Sequence, residues 1–306
     1  MARDDSVFIM GEDVSWNLLG STGGLLDTFG AERVRDTPIS EAGFVGAGAG
    51  AAMVGMRPIV DILMAPFLYP AMDQLVSMVA KSTYLSGGQA SLPLTIRATV
   101  IYAVNNAAQH SDRPWSTFMT IPGLKIVIPS NPYDAKGLLK SAIREDDPVL
   151  FFEDVNCWPS NADVPTDVDF TIPFGVASIK REGSDVTIVA IAGAVKHAMT
   201  AADQLAEFGI SAEVIDPRTI VPLDRKTILD SVAKTGRLIA VDPANETGSV
   251  ASEIAAIVAE EAFWDLRAPV TRVATPPVHM PYGKSMERSL YPSPEKIVTA
   301  AKKLME

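Results

Sequence analysis

Short unbroken runs of aliphatic and β-branched residues recur along this chain, and their spacing limits the possible folds more than any other feature. Five lie in the first half: Val7–Met10, Ile59–Leu63, Leu92–Arg97, Lys125–Pro129 and Pro148–Phe152. Four lie in the second: Val186–Ile191, Ala212–Asp216, Arg237–Asp242 and Val270–Ala274. Runs without polar alternation suit strands covered on both faces, as in a parallel sheet. Helical segments separate them. Asn131 caps one that carries Pro132 in its first turn and runs through Ala135–Arg144. Gly193–Phe208 predicts another, stopped by Gly209. Thr247–Trp264 and Ser293–Leu304 predict two more. Alternation in both halves predicts an α/β chain of two doubly wound domains with mainly parallel sheets. A length of 306 residues suits two domains. Asp154–Asp169 is rich in Asp and Pro and has no periodicity, so it is the predicted linker between domains spanning 1–160 and 161–306.

Charge and composition exclude several functions. The net charge of −11 opposes binding to nucleic acid and docking on anionic membranes. No apolar stretch reaches the roughly 20 residues of a membrane helix, and no secretory signal opens the sequence. Cys157 is the single cysteine, which leaves no internal disulfide and fits a reduced, cytoplasmic setting; a bystander thiol is the expectation. A slightly positive mean hydropathy of +0.18 leaves apolar surface for another subunit to cover.

Three constellations could carry chemistry. Thr37-Pro38-Ile39-Ser40-Glu41 runs into the small-residue segment Ala42–Met53. Ser40 can cap the helix and Glu41 falls in its first turn, where a carboxylate also simply complements the helix dipole. A buried small-residue helix would leave Glu41 poorly solvated and raise its pKa. Gly46-x-Gly48-x-x-Ala51 imitates a dinucleotide fingerprint, but its glycines sit inside the helix rather than in a turn after a strand. The second is Asn105–Asp112, a polar loop holding His110, which could exchange protons near neutral pH or be a loop histidine without a role. No G-x-S-x-G elbow supports a serine triad there. The third is Phe67–Gln74, whose aromatic pair could pack on a flat ring or fill a core. His197 and His279 match no metal spacing.

Further segments appear together in a fixed order: Gly11-Glu12-Asp13-Val14, Thr37–Phe44, Arg57-Pro58, Asp73-Gln74, Ser86-Gly87-Gly88, Ala108-Gln109-His110-Ser111, Pro122–Lys125 and Tyr133–Leu138. Val214–Thr219, Pro222-Leu223-Asp224 and Lys234–Arg237 continue it. In these the chain resembles the β subunit of the thiamine diphosphate-dependent decarboxylating component of pyruvate, branched-chain 2-oxo acid and acetoin dehydrogenases. The resemblance implies a transketolase-like pyrimidine-binding domain followed by a transketolase-like C-terminal domain. It implies an α₂β₂ heterotetramer, active only with the α subunit, which holds Mg2+ and the cofactor's diphosphate through a Gly-Asp-Gly motif that is absent here. A lipoyl-bearing dihydrolipoyl acyltransferase would receive the acyl unit.

By resemblance, Glu41 hydrogen-bonds the pyrimidine N1′, Leu63 and Phe67 pack on its ring, and His110 acts in acyl transfer. Leu94 and Ala142, through carbonyls, with Glu145 and Asp147, match a potassium site that some members carry. The sequence departs from the family at Asp112, where Gln is common, at Ala65-Pro66, and in lacking the usual further N-terminal helix. Acetoin remains the alternative substrate to a small 2-oxo acid. A split transketolase half, a non-catalytic assembly subunit and a nicotinamide-dependent dehydrogenase are the rival classes.

Overall fold

The computed structural model describes residues 1–306. Seven strands form the first sheet. They are β1 (Val7–Gly11), β2 (Val34–Asp36), β3 (Arg57–Met64), β4 (Thr95–Val100), β5 (Lys125–Val127), β6 (Val149–Asp154) and β10 (Thr219–Val221), in the order β10-β5-β6-β4-β3-β1-β2. Five more, β7 (Ser178–Arg181), β8 (Val186–Ala190), β9 (Ala212–Asp216), β11 (Leu238–Asn245) and β12 (Thr271–Thr275), form the second in the order β12-β11-β8-β9-β7. All pairs are parallel except β10 with β5 and β7 with β9. The expected α/β class with two mainly parallel sheets is what the chain adopts.

Six helices of three turns or so cover the sheets: α1 (Glu41–Met53), α2 (Pro132–Arg144), α3 (Ala194–Ala206), α4 (Arg225–Thr235), α5 (Val250–Glu261) and α6 (Pro294–Met305). Local chemistry sets their ends. Asn131 Oδ1 accepts the Asp134 N–H at 3.0 Å, and Ser249 Oγ accepts from Ser252 at 3.1 Å. Gly236, at φ 71°, stops α4 in the left-handed conformation that glycine adopts without strain. The expected cap at Ser40 does not form: its side chain bonds no backbone N–H of α1. Nor is α1 buried all round. Phe44, Val45, Gly48, Ala49 and Ala52 face the core, while Gly43, Ala47 and Gly50 face outward. No helix is long and apolar enough to cross a membrane.

The halves interlock. Strand β10 lies far along the chain yet completes the edge of the first sheet, and the largest core joins Ile126 and Phe152 to Ile215, Ile220 and Ile254. Asp134, fully buried on α2, meets Lys180 Nζ at 2.8 Å and Arg218 Nη2 at 2.7 Å. Asp154 Oδ2 accepts from the Tyr102 hydroxyl and the Gly193 N–H, both at 2.8 Å. Residues 158–177, within and beyond the expected linker, form no helix or strand and are tied to α2 by Lys136 and Lys140, which bond the Pro165 and Val168 carbonyls.

Candidate active site

In an open parallel sheet the loops at the carboxyl ends of the strands are the natural binding surface. Strands β4, β3 and β1 are neighbours, so segments distant in sequence leave the sheet side by side. Beyond β1 come Glu12 and, one strand and a loop later, Glu41 at the start of α1. Leu63 lies at the carboxyl end of β3 and Phe67 just beyond it, and beyond β4 comes His110.

Gly11 is required where it stands, because a Cβ there would collide with the Asp61 carbonyl of the adjacent strand. That close approach delivers Glu12 to the sheet's end. Burial, with Glu41 as the next contribution, pushes the Glu12 carboxyl above its ordinary value. Its Oε1 is buried without a hydrogen-bond partner. Glu41 is half-buried and close enough for its charge to act on Glu12.

Asp61, near the end of β3, organises the next segment. Its Oδ1 accepts the Leu63 N–H at 2.9 Å and its Oδ2 pairs with Arg97 Nη1 at 3.0 Å. Arg97 also meets Glu153 at 2.9 Å, so this buried charge is compensated on both sides. Leu63 has φ 67°, a left-handed conformation rare for a non-glycine residue, and the Asp61 bond helps hold it there. The chain then turns through a 3₁₀ segment, Ala65–Leu68, that carries Phe67. The Phe67 and His110 rings meet edge to face, with centroids 5.7 Å apart and an interplanar angle of 89°. His110 Nδ1 is buried without a partner. Two residues on from each, the Tyr69 hydroxyl donates to Asp112 Oδ2 at 3.1 Å. Burial and the Asp112 carboxylate push the Tyr69 phenol up.

A cleft of about 820 Å³ opens between the halves beside this pair and is lined by Tyr69, Asp112, Arg113, Asn245 and His279 among others. His197 lies exposed on α3. Thr37 Oγ1 and Gln74 Oε1 are also buried without partners, Thr37 beside the end of β1 and Gln74 against Gly46 of α1. Unsatisfied polar atoms on every segment around Glu41, Phe67 and His110 fit a bound group that has donors, acceptors and a flat ring.

The other predicted residues lie at the opposite, amino end of the sheet. Lys125 Nζ meets Glu145 Oε2 at 2.9 Å and Asp147 Oδ2 at 3.0 Å. The Leu94 carbonyl accepts from Val149 at 2.9 Å and the Ala142 carbonyl from Glu145 at 3.2 Å. Both carboxylates are paired with the Lys125 ammonium, and each carbonyl accepts one backbone N–H. Cys157 lies at the end of a 3₁₀ turn after β6, and burial pushes its thiol well up, which suits the expected bystander. The sequence alone does not mark Glu12 or the Asp61–Arg97 pair as site residues. The signal for Glu12 was its position directly after a strand.

Residues 1–157 match the family model of the transketolase pyrimidine binding domain, and residues 175–297 that of the transketolase C-terminal domain. Over 319 residues the chain is 45% identical to the β subunit of acetoin:2,6-dichlorophenolindophenol oxidoreductase from Bacillus subtilis (strain 168), covering 100% of this chain and 93% of that protein. It is 44% identical to the 2-oxoisovalerate dehydrogenase subunit beta of the same organism, covering 100% and 94%. A mitochondrial pyruvate dehydrogenase E1 component subunit beta-1 of Arabidopsis thaliana is 44% identical, covering 99% and 85%. Among solved structures, an inactive β4 tetramer of a split gene transketolase shares the fold with a TM-score of 0.81 at 22% identity, covering 99% of this chain and 93% of that one.

Proposed function

This chain belongs to the transketolase-like β subunits of 2-oxo acid and acetoin dehydrogenases, and from that premise we propose that it is the pyrimidine-binding half of a pyruvate dehydrogenase-type enzyme. It would decarboxylate a small 2-oxo acid and pass the acyl unit to a lipoyl acyltransferase. The observation that carries the proposal is that two pairs, Glu12 with Glu41 and Phe67 with His110, stand at the carboxyl ends of the four adjacent strands β4, β3, β1 and β2, with buried polar atoms left unpaired.

Bound thiamine diphosphate supplies the electron sink for cleaving the bond beside a carbonyl. The chain's own part is proton placement and orientation. Glu41 would meet the pyrimidine N1′ with its carboxyl group. Burial, and after it the nearby charge of Glu41, raise the pKa of the Glu12 carboxyl. Phe67 offers an apolar wall to the ring. His110, with Nδ1 free, serves as donor or acceptor when the acyl unit moves to lipoyl. An α subunit supplies the Mg2+ and diphosphate ligands that this chain lacks, in an α₂β₂ assembly working in the cytoplasm. Acetoin is the second substrate we retain, because a β subunit of acetoin oxidoreductase is as similar as the 2-oxo acid relatives.

The test is Glu41→Gln in the reconstituted α–β pair. Loss of proton transfer at one position predicts a fall in kcat of about 10² or more. Near wild-type turnover would overturn the assignment of Glu41.

A further inference from the structure

Glu287 is fully buried on the short helix Lys284–Leu290 of the second half, yet its partners lie in the first half. Its Oε1 accepts the Ala103 N–H at 2.8 Å and its Oε2 accepts the Asn105 N–H at 2.8 Å. The Tyr291 hydroxyl, one turn along, donates to Oε1 at 3.3 Å. Ala103 and Asn105 have φ of 62° and 68°, and Ala107 follows at 54°. Three non-glycine residues in the left-handed region within five positions store backbone strain, which persists only where surroundings hold it. The helix Ala107–His110 begins there.

The far side of His110 is tied to the same place. Arg113 donates to the Ser111 carbonyl, and its Nη2 reaches Asn245 Oδ1 at 3.3 Å. Its guanidinium lies 5.1 Å from the centre of the Tyr291 ring and 5.6 Å from that of Tyr102. Residues before and after His110 are thus anchored to Glu287, Tyr291 and Asn245, while His110 itself touches Phe67 of its own half.

We propose that Glu287 is a positioning residue that clamps the strained 103–107 turn and thereby sets where His110 stands over Phe67. The second half would then control the acyl-transfer histidine without contributing a group to the site. This rests on the assignment of His110 to acyl transfer given above, but the clamp can be tested apart from it.

In the assembled enzyme, hydrogen exchange of the 101–112 segment should be slow in the wild type and faster in Glu287→Gln, which keeps one acceptor and turns an N–H₂ toward the other amide. Unchanged exchange in the variant overturns the clamp. So does free-loop exchange in the wild type, a result that stands even if the variant does not fold. Two turnover assays supply the functional readout. With a lipoyl acceptor, Glu287→Gln should lose roughly tenfold or more in kcat through misplacement of His110. With an artificial dye acceptor that takes electrons without acyl transfer, it should lose far less. A general structural defect would depress both equally, and that result overturns the positioning role. His110→Ala should show the same split, and adding Glu287→Gln to it should cost little more. If His110→Ala shows no split while exchange in Glu287→Gln rises, the acyl-transfer assignment fails and the clamp stands.

Discussion

Buried polar groups are handled differently in the two halves. Apart from Asp134 and Arg218, which face each other, every buried side-chain atom without a hydrogen-bond partner lies between Glu12 and Trp115. The second half buries polar groups too, but pairs them. Thr187 Oγ1 bonds Ser231 at 2.6 Å and Thr235 at 2.7 Å, and Asp242 accepts the Ala244 and Val250 N–H groups at 2.8 and 3.0 Å. The same plan therefore yields one half that satisfies itself and one that keeps open valences at the carboxyl ends of its strands. Unpaired buried groups cost stability and persist where a ligand or partner completes them. This is the physical sense in which the first half is incomplete alone.

The largest effect should come from breaking the part of the first half that is closed. Arg97 joins Asp61 and Glu153 in the buried centre of the sheet, with 6% of its surface exposed. Arg97→Leu leaves two carboxylates uncompensated and should cost about 3–5 kcal/mol in urea unfolding of the chain. It should also release Leu63, because repelled Asp61 would abandon its bond to that strained amide. A cost below 1 kcal/mol would show the triad to be far more hydrated than its burial implies.

A paired comparison comes next. Burial raises the carboxyl pKa of both Glu12 and Asp242, the latter from 3.8 to about 6. An acid with a raised folded pKa binds its proton more tightly in the native state, so its contribution to stability falls as pH rises from the unfolded to the folded value. For Asp242 that window runs from 3.8 to about 6. The two differ in bonding: Asp242 uses both oxygens, whereas one Glu12 oxygen has no partner. Asp242→Asn should therefore destabilise the chain by about 1–3 kcal/mol at pH 7, having lost an acceptor. Glu12→Gln should raise the thermal midpoint of the isolated chain at pH 7 and flatten its pH dependence. If both substitutions moved stability in the same direction, the contrast between an open and a closed half would fail.

Much of the scaffold was legible in the sequence. Asn131-Pro132 marked the start of α2, and the unbroken aliphatic runs marked the buried strands. What the sequence hid was local sterics and long-range pairing. Leu92-Pro93-Leu94 looks like the start of a strand, but Pro93 has no N–H to give a ladder, and β4 begins at Thr95. Strands β2, β7 and β10 are three or four residues long and lie at sheet edges, too short to give a periodic signal. The helix expected over Thr247–Trp264 is trimmed to Val250–Glu261, because Ser249 caps it and Phe263–Asp265 tightens into a 3₁₀ turn. At the site, Glu41, Phe67 and His110 could be named from motif order, but that β3 lies between β1 and β4 is a fact of topology. The approach of Glu12 to Glu41 and the reach of Glu287 across the halves belong to the same class. Neither has any counterpart in spacing along the chain.

Helix α1 allows the finest test, because it belongs to both the closed and the open parts of the first half. On its inner face, a Cβ at Gly48 would stand 2.5 Å from Val60 Cγ2 and 3.4 Å from Leu94 Cδ1. Val60 is itself fully buried in the sheet, so little room exists to yield, and Gly48→Ala should cost about 1–3 kcal/mol by overpacking. On its outer face, a Cβ at Gly50 would meet nothing within 4 Å. Replacing a helical glycine by alanine there removes excess unfolded-state freedom and should stabilise the isolated chain by up to about 1 kcal/mol. The sign of the second change in the assembled enzyme is the sharper measurement. If a partner subunit packs on Gly43, Ala47 and Gly50, the added methyl should weaken association while strengthening the lone chain. Stabilisation of both states alike would mean that this face of the helix meets only water, and that the small residues there serve no closer contact.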